Sequence, residues 1–82
     1  MDRQGIIEHR RMAFGDAVRD ARKSQHVSQE HLALLADIDR AYMGRIERGE
    51  QSASLDKIWA ICDALETTPS QLFSDAERHQ IQ

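Results

Sequence analysis

The stretch DIDRAYMGRIERGE, near the middle of the chain, combines side chains that could recognise an anionic partner. At helical spacing, Arg40, Tyr42 and Arg45 face away from the apolar side of the helix, which Met43 and Ile46 form. A guanidinium group can donate two parallel hydrogen bonds to a phosphate or to the O6 and N7 atoms of guanine. The hydroxyl of a tyrosine can reach the same kinds of group. The stretch therefore predicts an exposed surface that could bind phosphates or base edges.

The overall charge argues mildly against a nucleic-acid partner, but it is unevenly distributed. The 82 residues have a formal net charge of −3. Residues 1–48 contain 9 Lys or Arg and 8 Asp or Glu, whereas residues 49–82 contain 2 and 6. Because most nucleic-acid-binding domains are basic, we expect any anionic partner to contact the first half. The acidic second half is expected to supply core and a surface for a protein partner.

Size and composition exclude several classes of protein. A chain this short forms one small domain. No apolar run approaches the roughly 20 residues that span a membrane, and no signal-peptide pattern begins the chain. The single Cys62 cannot form an internal disulfide, so a reducing cytoplasm is the expected location. Cys62 and the four histidines lack metal-ligand spacing, and no catalytic grouping is evident. We therefore expect that the protein is not an enzyme, does not contact a membrane, and binds neither a metal nor a cofactor.

Helical periodicity predicts an all-α fold of five short helices without strands. The first is expected from about Met12 to Ser24. The other four are expected to begin after residues that cap helix N-termini well, namely Ser28, Asp39, Ser54 and Thr68. Gly49 would end the third helix, and Pro69 would open the fifth.

Three regions are predicted along the chain. Residues 1–10 are expected to be a flexible arm or a short extra helix. Residues 11–74 would form the folded domain. Residues 75–82 would be a polar tail that extends the last helix or frays.

Within the domain, residues 28–48 predict a helix-turn-helix. About three residues, 37–39, separate the second and third helices, so the two must cross at a steep angle. The small residues Ala33, Ala36 and Gly44 would allow the helices to pack closely. The interior of the pair would be filled by Leu32, Ile38, Met43 and Ile46.

These features resemble the lambda-repressor/Cro-like, or Xre, family of helix-turn-helix DNA-binding proteins. The segment SQEHLALLADIDRAYMGRIERGEQSASLDKIWAICDAL carries the resemblance, which covers residues 13–73. LADIDRAYMGRIERG is also similar to the controller proteins of restriction–modification systems. Two positions depart from the family, because His26 and Asp37 stand where it usually has glycine. We expect positive φ at both, which His and Asp tolerate better than most residues.

The resemblance implies a transcriptional regulator that binds a palindromic double-stranded DNA operator as a homodimer. Helix 3 would enter the major groove. The expected DNA contacts are Gln29, Arg40, Ala41, Tyr42, Arg45, Arg48, Gln51 and Ser52. For several of these a structural role is an open alternative. Gln29 could be a capping partner and Tyr42 could pack over helix 2.

The resemblance also implies roles away from the DNA. Glu47 would form a partly buried ion pair with Arg22. A two-fold dimer through helices 4 and 5 would use Trp59, Ile61, Leu65, Leu72 and Phe73, with Ile81 as a weaker candidate. A restriction–modification controller is the favoured interpretation. A phage-type repressor, an antitoxin-like autoregulator, and a protein-interaction module without DNA binding are the alternatives.

Overall fold

The computed structural model describes residues 2–81, except for the side chain of Ile81. The described residues form an all-α fold, as predicted, and none of them lies in a strand. The five helices are α1 (Arg3–Ser24), α2 (Gln29–Ala36), α3 (Arg40–Glu47), α4 (Leu55–Ala64) and α5 (Pro69–Ile81).

The starts of α2 to α5 follow the capping residues that the sequence indicated. The caps are Ser28, Asp39, Ser54 and Thr68. In each case the side-chain oxygen accepts a hydrogen bond from the backbone N–H three residues further on, at 3.0–3.2 Å. These bonds satisfy N–H groups that have no partner within the helix.

Helix α1 begins at Arg3, not near Met12, so residues 3–10 are helical and continuous with the rest of α1. Asp2 caps its N-terminus by accepting a 2.7 Å hydrogen bond from the backbone N–H of Gly5. The extension packs along α5, which itself continues to Ile81. His9 Nε2 lies 3.3 Å from the carbonyl oxygen of Gln80. Tertiary packing therefore stabilises a helical segment whose own apolar pattern is weak.

Three helices are followed by a non-glycine residue in the left-handed region. His26 follows α1 with φ 58° and Asp37 follows α2 with φ 54°, which confirms the expectation for both. Glu66, after α4, has φ 54° and was not anticipated. Gly49, after α3, has φ 75°. The left-handed backbone reverses the chain within two or three residues, and only glycine adopts it without steric cost.

The core lies between the helix-turn-helix pair and the other three helices. Leu32, Ile38, Met43 and Ile46 are buried, as predicted for the interior of the pair. Helix α1 crosses α3 so closely at Gly15 that a Cβ there would lie 2.5 Å from the carbonyl oxygens of Ile46 and Glu47. This crossing fixes the orientation of α3 relative to the longest helix.

The core also contains three residues that were expected at a dimer interface. Ile61, Leu65 and Leu72 are at most 1% exposed within a single chain. Placing them at the interface was wrong, because side chains that are already covered by their own chain have no surface to offer a partner. Cys62 is buried beside them, as expected of a small apolar residue.

Candidate nucleic-acid interface

One side of α3 forms a shallow concave surface together with the start of α2. We call this surface the recognition face and define it by Arg40, Ala41, Arg45 and Arg48, all of which line the concavity. Asp39 caps α3 immediately before Arg40, so the face begins in the first helical turn. Met43 and Ile46 are buried on the opposite side of the helix. The amphipathic pattern thus leaves the arginines on the outside.

Arg40 has two partners on α2. Its Nε donates a 3.3 Å hydrogen bond to Oε1 of Gln29. A terminal nitrogen lies 3.5 Å from a carboxylate oxygen of Glu30. Both arginine and glutamate are largely exposed in this ion pair. Exposed pairs contribute about 0–1 kcal/mol, so water or a ligand can replace Glu30 easily.

Arg45 and Tyr42 connect α3 to the segment that leads into α4. Arg45 Nε donates a 2.7 Å hydrogen bond to Oε1 of Gln51, and the Tyr42 hydroxyl donates a 3.0 Å bond to the carbonyl oxygen of Ser52. The Arg45 guanidinium lies 5.8 Å from the Tyr42 ring centroid, and Lys57 Nζ lies 6.0 Å from it. The Tyr42 side chain therefore contacts the α3–α4 connection and lies near the first turn of α4. Because of these contacts, Gln51 and Ser52 lie beside the recognition face.

Arg48 forms a bidentate ion pair with Glu50. The distances are 2.9 Å from Nε to Oε2 and 3.1 Å from the second nitrogen to Oε1. These hydrogen bonds lower the pKa of the Glu50 carboxyl and raise that of Arg48. Glu50 also lines the concave surface, although it was not among the expected DNA contacts. Its position two residues after Arg48, beyond the end of α3, was the available signal.

A buried ion pair supports the recognition face from below. Arg22 donates to both carboxylate oxygens of Glu47, at 2.8 and 2.9 Å, and to the carbonyl oxygen of Val27 at 3.0 Å. The two side chains are 11% and 2% exposed. Gln29 Nε2 also donates to Glu47, at 3.0 Å. The side chain of Gln29 thus links the buried ion pair to Arg40. This is a structural role, and it occupies the side chain that was expected to contact DNA.

The described residues contain no arrangement suited to metal binding. Among residues 2–81, no group of three His, Cys, Asp or Glu side chains could hold a metal ion. Burial raises the pKa of the Cys62 thiol, and the charge of Asp63 contributes in the same direction. That thiol stays protonated and shielded from solvent. In the same range, no helix is both long and apolar enough to cross a membrane.

Residues 18–72 match the protein family described as Helix-turn-helix. The chain belongs to this family. It is 44% identical over 63 residues to the control protein C.BamHI of Bacillus amyloliquefaciens, covering 76% of this chain and 78% of the relative. It is 38% identical over 69 residues to the control protein C.MunI of a Mycoplasma species, covering 83% and 93%.

The fold is likewise similar to that of a solved family member. The restriction–modification controller protein C.AhdI from Aeromonas hydrophila superposes with a TM-score of 0.75 and 40% identity, covering 77% of this chain and 96% of that one. Together with the family match, these similarities show a DNA-binding helix-turn-helix regulator of the Xre type.

A second exposed feature of this helix-turn-helix regulator lies on α4 and α5. Trp59 is 52% exposed and Phe73 is 44% exposed. Leu55, one turn before Trp59 on α4, is 69% exposed and was not among the expected interface residues. The Phe73 ring packs against Phe14 with centroids 5.3 Å apart. Of the five residues expected at a dimer interface, only Trp59 and Phe73 therefore retain surface for a partner.

Proposed function

We propose that this protein controls transcription in a restriction–modification system by binding a palindromic operator as a homodimer. The observation that carries the proposal is the recognition face, where Arg40 and Arg45 lie on one side of a capped helix and each donates a hydrogen bond to a neutral amide group, Arg40 having in addition only an exposed 3.5 Å ion pair with Glu30. An amide partner orients a guanidinium group without neutralising its charge. The similarity to a protein named as a restriction–modification controller, and to two proteins named as control proteins, supports the choice of system.

In this proposal the role of each residue of the recognition face depends on its position along α3. Arg40, in the first turn, pairs with a guanine through O6 and N7, and Ala41 contacts a thymine methyl group. Arg45 contacts a base or a phosphate. The phosphate contacts are expected from Arg48, Gln51, Ser52 and the N-terminus of α2 at Gln29, whose backbone N–H groups favour anions. Tyr42 holds the α3–α4 connection in place while the edge of its ring approaches the DNA backbone.

The homodimer is proposed to form through the exposed apolar residues of α4 and α5. Leu55, Trp59 and Phe73 would be covered by the same residues of a second copy around a two-fold axis. Half-exposed aromatic residues are typical anchors of such interfaces. Two linked helix-turn-helix units bind two half-sites about one helical turn apart more tightly than one unit binds one, because the second contact becomes intramolecular.

The proposal is tested by selecting duplexes from a random pool with the purified protein. A palindromic sequence should be enriched, and Arg40→Ala or Arg45→Ala should weaken its binding by about 10-fold or more. Arg78→Ala, which removes an exposed arginine from α5, is the matched control and should change binding by less than about 2-fold. Enrichment of no sequence, or equal effects of all three substitutions, would contradict the proposal.

The dimer is tested separately by sedimentation equilibrium. Trp59→Glu should shift the protein towards monomer, since a carboxylate cannot be buried without a partner. Leu35→Glu makes the same kind of change at an exposed leucine of α2 and should leave the oligomeric state unaltered. A wild-type monomer at all concentrations would refute this part of the proposal.

A phage-type repressor or an antitoxin-like autoregulator would use the same recognition face. The DNA upstream of the protein's own gene separates these possibilities. A palindrome there, next to a nuclease or methyltransferase gene, is the expected arrangement for a restriction–modification controller. A neighbouring toxin gene or phage genes would favour the other regulators.

A further inference from the structure

The arginines of the recognition face differ in how closely a carboxylate holds them. Arg45 donates to the neutral amide of Gln51 at 2.7 Å, and Arg40 donates to the neutral amide of Gln29 at 3.3 Å. A neutral acceptor orients the guanidinium group but leaves its positive charge available. Arg40 also lies 3.5 Å from a carboxylate oxygen of Glu30, but no carboxylate holds Arg40 or Arg45 through two hydrogen bonds among the contacts described.

Arg48 is held differently. Both oxygens of Glu50 accept hydrogen bonds from it, at 2.9 and 3.1 Å. This is the two-bond geometry with which an arginine would bind a phosphate. Glu50 thus occupies two of the five N–H donors of Arg48, and it places a negative charge where a phosphate bound to that edge would lie.

The position of Arg48 indicates whether Glu50 affects contacts to the bases or contacts to the DNA backbone. Arg48 is the C-cap residue of α3, whereas Arg40 is the first residue of that helix. In helix-turn-helix proteins the N-terminal residues of the recognition helix approach the base edges. A residue at the other end is placed to contact the DNA backbone, and backbone contacts contribute affinity without reading sequence.

We propose that Glu50 is an internal competitor for Arg48 that weakens binding to DNA of any sequence and leaves base reading unchanged. This inference rests on the proposed DNA-binding function. It adds a residue that tunes the part of the DNA affinity that comes from backbone contacts and does not depend on sequence. Before Arg48 binds a phosphate through this edge of its guanidinium group, it must release Glu50, and the freed carboxylate then lies near the DNA and repels it. Both effects lower the affinity for operator and non-operator DNA by the same factor.

The test compares Glu50→Gln with Glu77→Gln, which removes an exposed carboxylate from α5 and changes the net charge equally. Affinities for the selected operator and for a scrambled duplex are measured by fluorescence anisotropy over a series of salt concentrations. At low salt, Glu50→Gln should bind both duplexes about 3- to 10-fold more tightly than wild type. Its plot of log affinity against log salt should steepen by up to about 0.9, the value for one phosphate contact, because the variant lacks the carboxylate that opposes the charge of Arg48. Glu77→Gln should change affinity by less than about 2-fold.

The same pair of substitutions is then made in an Arg48→Ala background. If Glu50 acts mainly through Arg48, Glu50→Gln should now tighten binding clearly less than it does in the wild-type background, because only the repulsion by its own carboxylate remains. An equal effect of the two substitutions in the wild-type background would overturn the inference, as would tightening confined to the operator or undiminished tightening without Arg48. Absence of salt-dependent DNA binding by the wild-type protein would instead refute the proposed function itself, and with it this inference.

Discussion

Replacing Glu47 with alanine should destabilise the protein more than almost any other substitution of a charged residue. Glu47 is 2% exposed and accepts two hydrogen bonds from Arg22 and one from Gln29. Without Glu47, the guanidinium group of Arg22, which is only 11% exposed, would keep its hydrogen bond to the carbonyl oxygen of Val27 but lose both bonds to the carboxylate. Stranding one charge of a buried pair costs about 3–5 kcal/mol.

The size of this loss can be compared with the stability of the whole domain. Small domains have unfolding free energies of about 5–15 kcal/mol, and one of this size belongs near the lower end. With a urea slope of about 1 kcal/mol per molar, the unfolding midpoint of Glu47→Ala should fall by about 3 M or more. Far-ultraviolet circular dichroism is a suitable probe because the described fold is entirely helical.

Two further variants identify the cause of the loss. Glu77→Ala removes an exposed carboxylate from α5 and should change the unfolding free energy by less than about 0.5 kcal/mol. The double substitution Arg22→Met with Glu47→Leu removes both charges and should recover most of the stability that Glu47→Ala loses. A loss below about 1 kcal/mol in Glu47→Ala, or a double variant less stable than the single one, would refute the reasoning.

Three other substitutions or treatments have outcomes that follow from the structure. Gly15→Ala should lower the free energy of unfolding in urea by about 2–3 kcal/mol, because its Cβ would lie 2.5 Å from backbone oxygens of α3. Gly44→Ala is the control and should change it by less than about 1 kcal/mol, since its Cβ would meet only the ends of flexible side chains. Equal losses in the two variants would contradict this prediction. Glu66→Gly should raise the unfolding free energy by about 1 kcal/mol, since φ is 54° there, and a thermal midpoint that falls would speak against strain at this turn. Cys62 should react with a thiol reagent far more slowly in native protein than in concentrated urea, because it is fully buried and its pKa is raised; equal rates would show that the site is open.

The raised pKa of Cys62 also sets the direction of a pH effect on stability. The unfolded thiol ionises before the folded one, so its contribution is fully present below the pKa of an exposed thiol and decreases as the pH rises above it.

Local chemistry predicted most of the helix boundaries. Ser28, Asp39, Ser54 and Thr68 cap helices through their own side chains, so the signal lies within four residues of sequence. The N-terminal half of α1 could not be predicted in this way. Its stabilising partner is α5, which is distant along the chain, as the contact between His9 and Gln80, 71 residues apart, illustrates.

The candidate site was predicted as a set of residues but not as a set of contacts. Periodicity identified Arg40 and Arg45 as outward-facing. It could not show that Glu50 folds back onto Arg48, because that pairing depends on the backbone conformation after Gly49. The same limit explains the error at Ile61 and Leu72, where an apolar stripe does not reveal whether a neighbouring helix or a second copy covers it.

The central claim is that α3 reads base sequence through the recognition face. The most direct measurement is a parallel selection from a random duplex pool with the wild-type protein and with Arg40→Ala. The wild type should enrich a palindrome with a guanine preference at one symmetry-related pair of positions, and Arg40→Ala should lose the preference at that pair alone. Identical preferences in both selections, or no enriched sequence with the wild type, would contradict the claim.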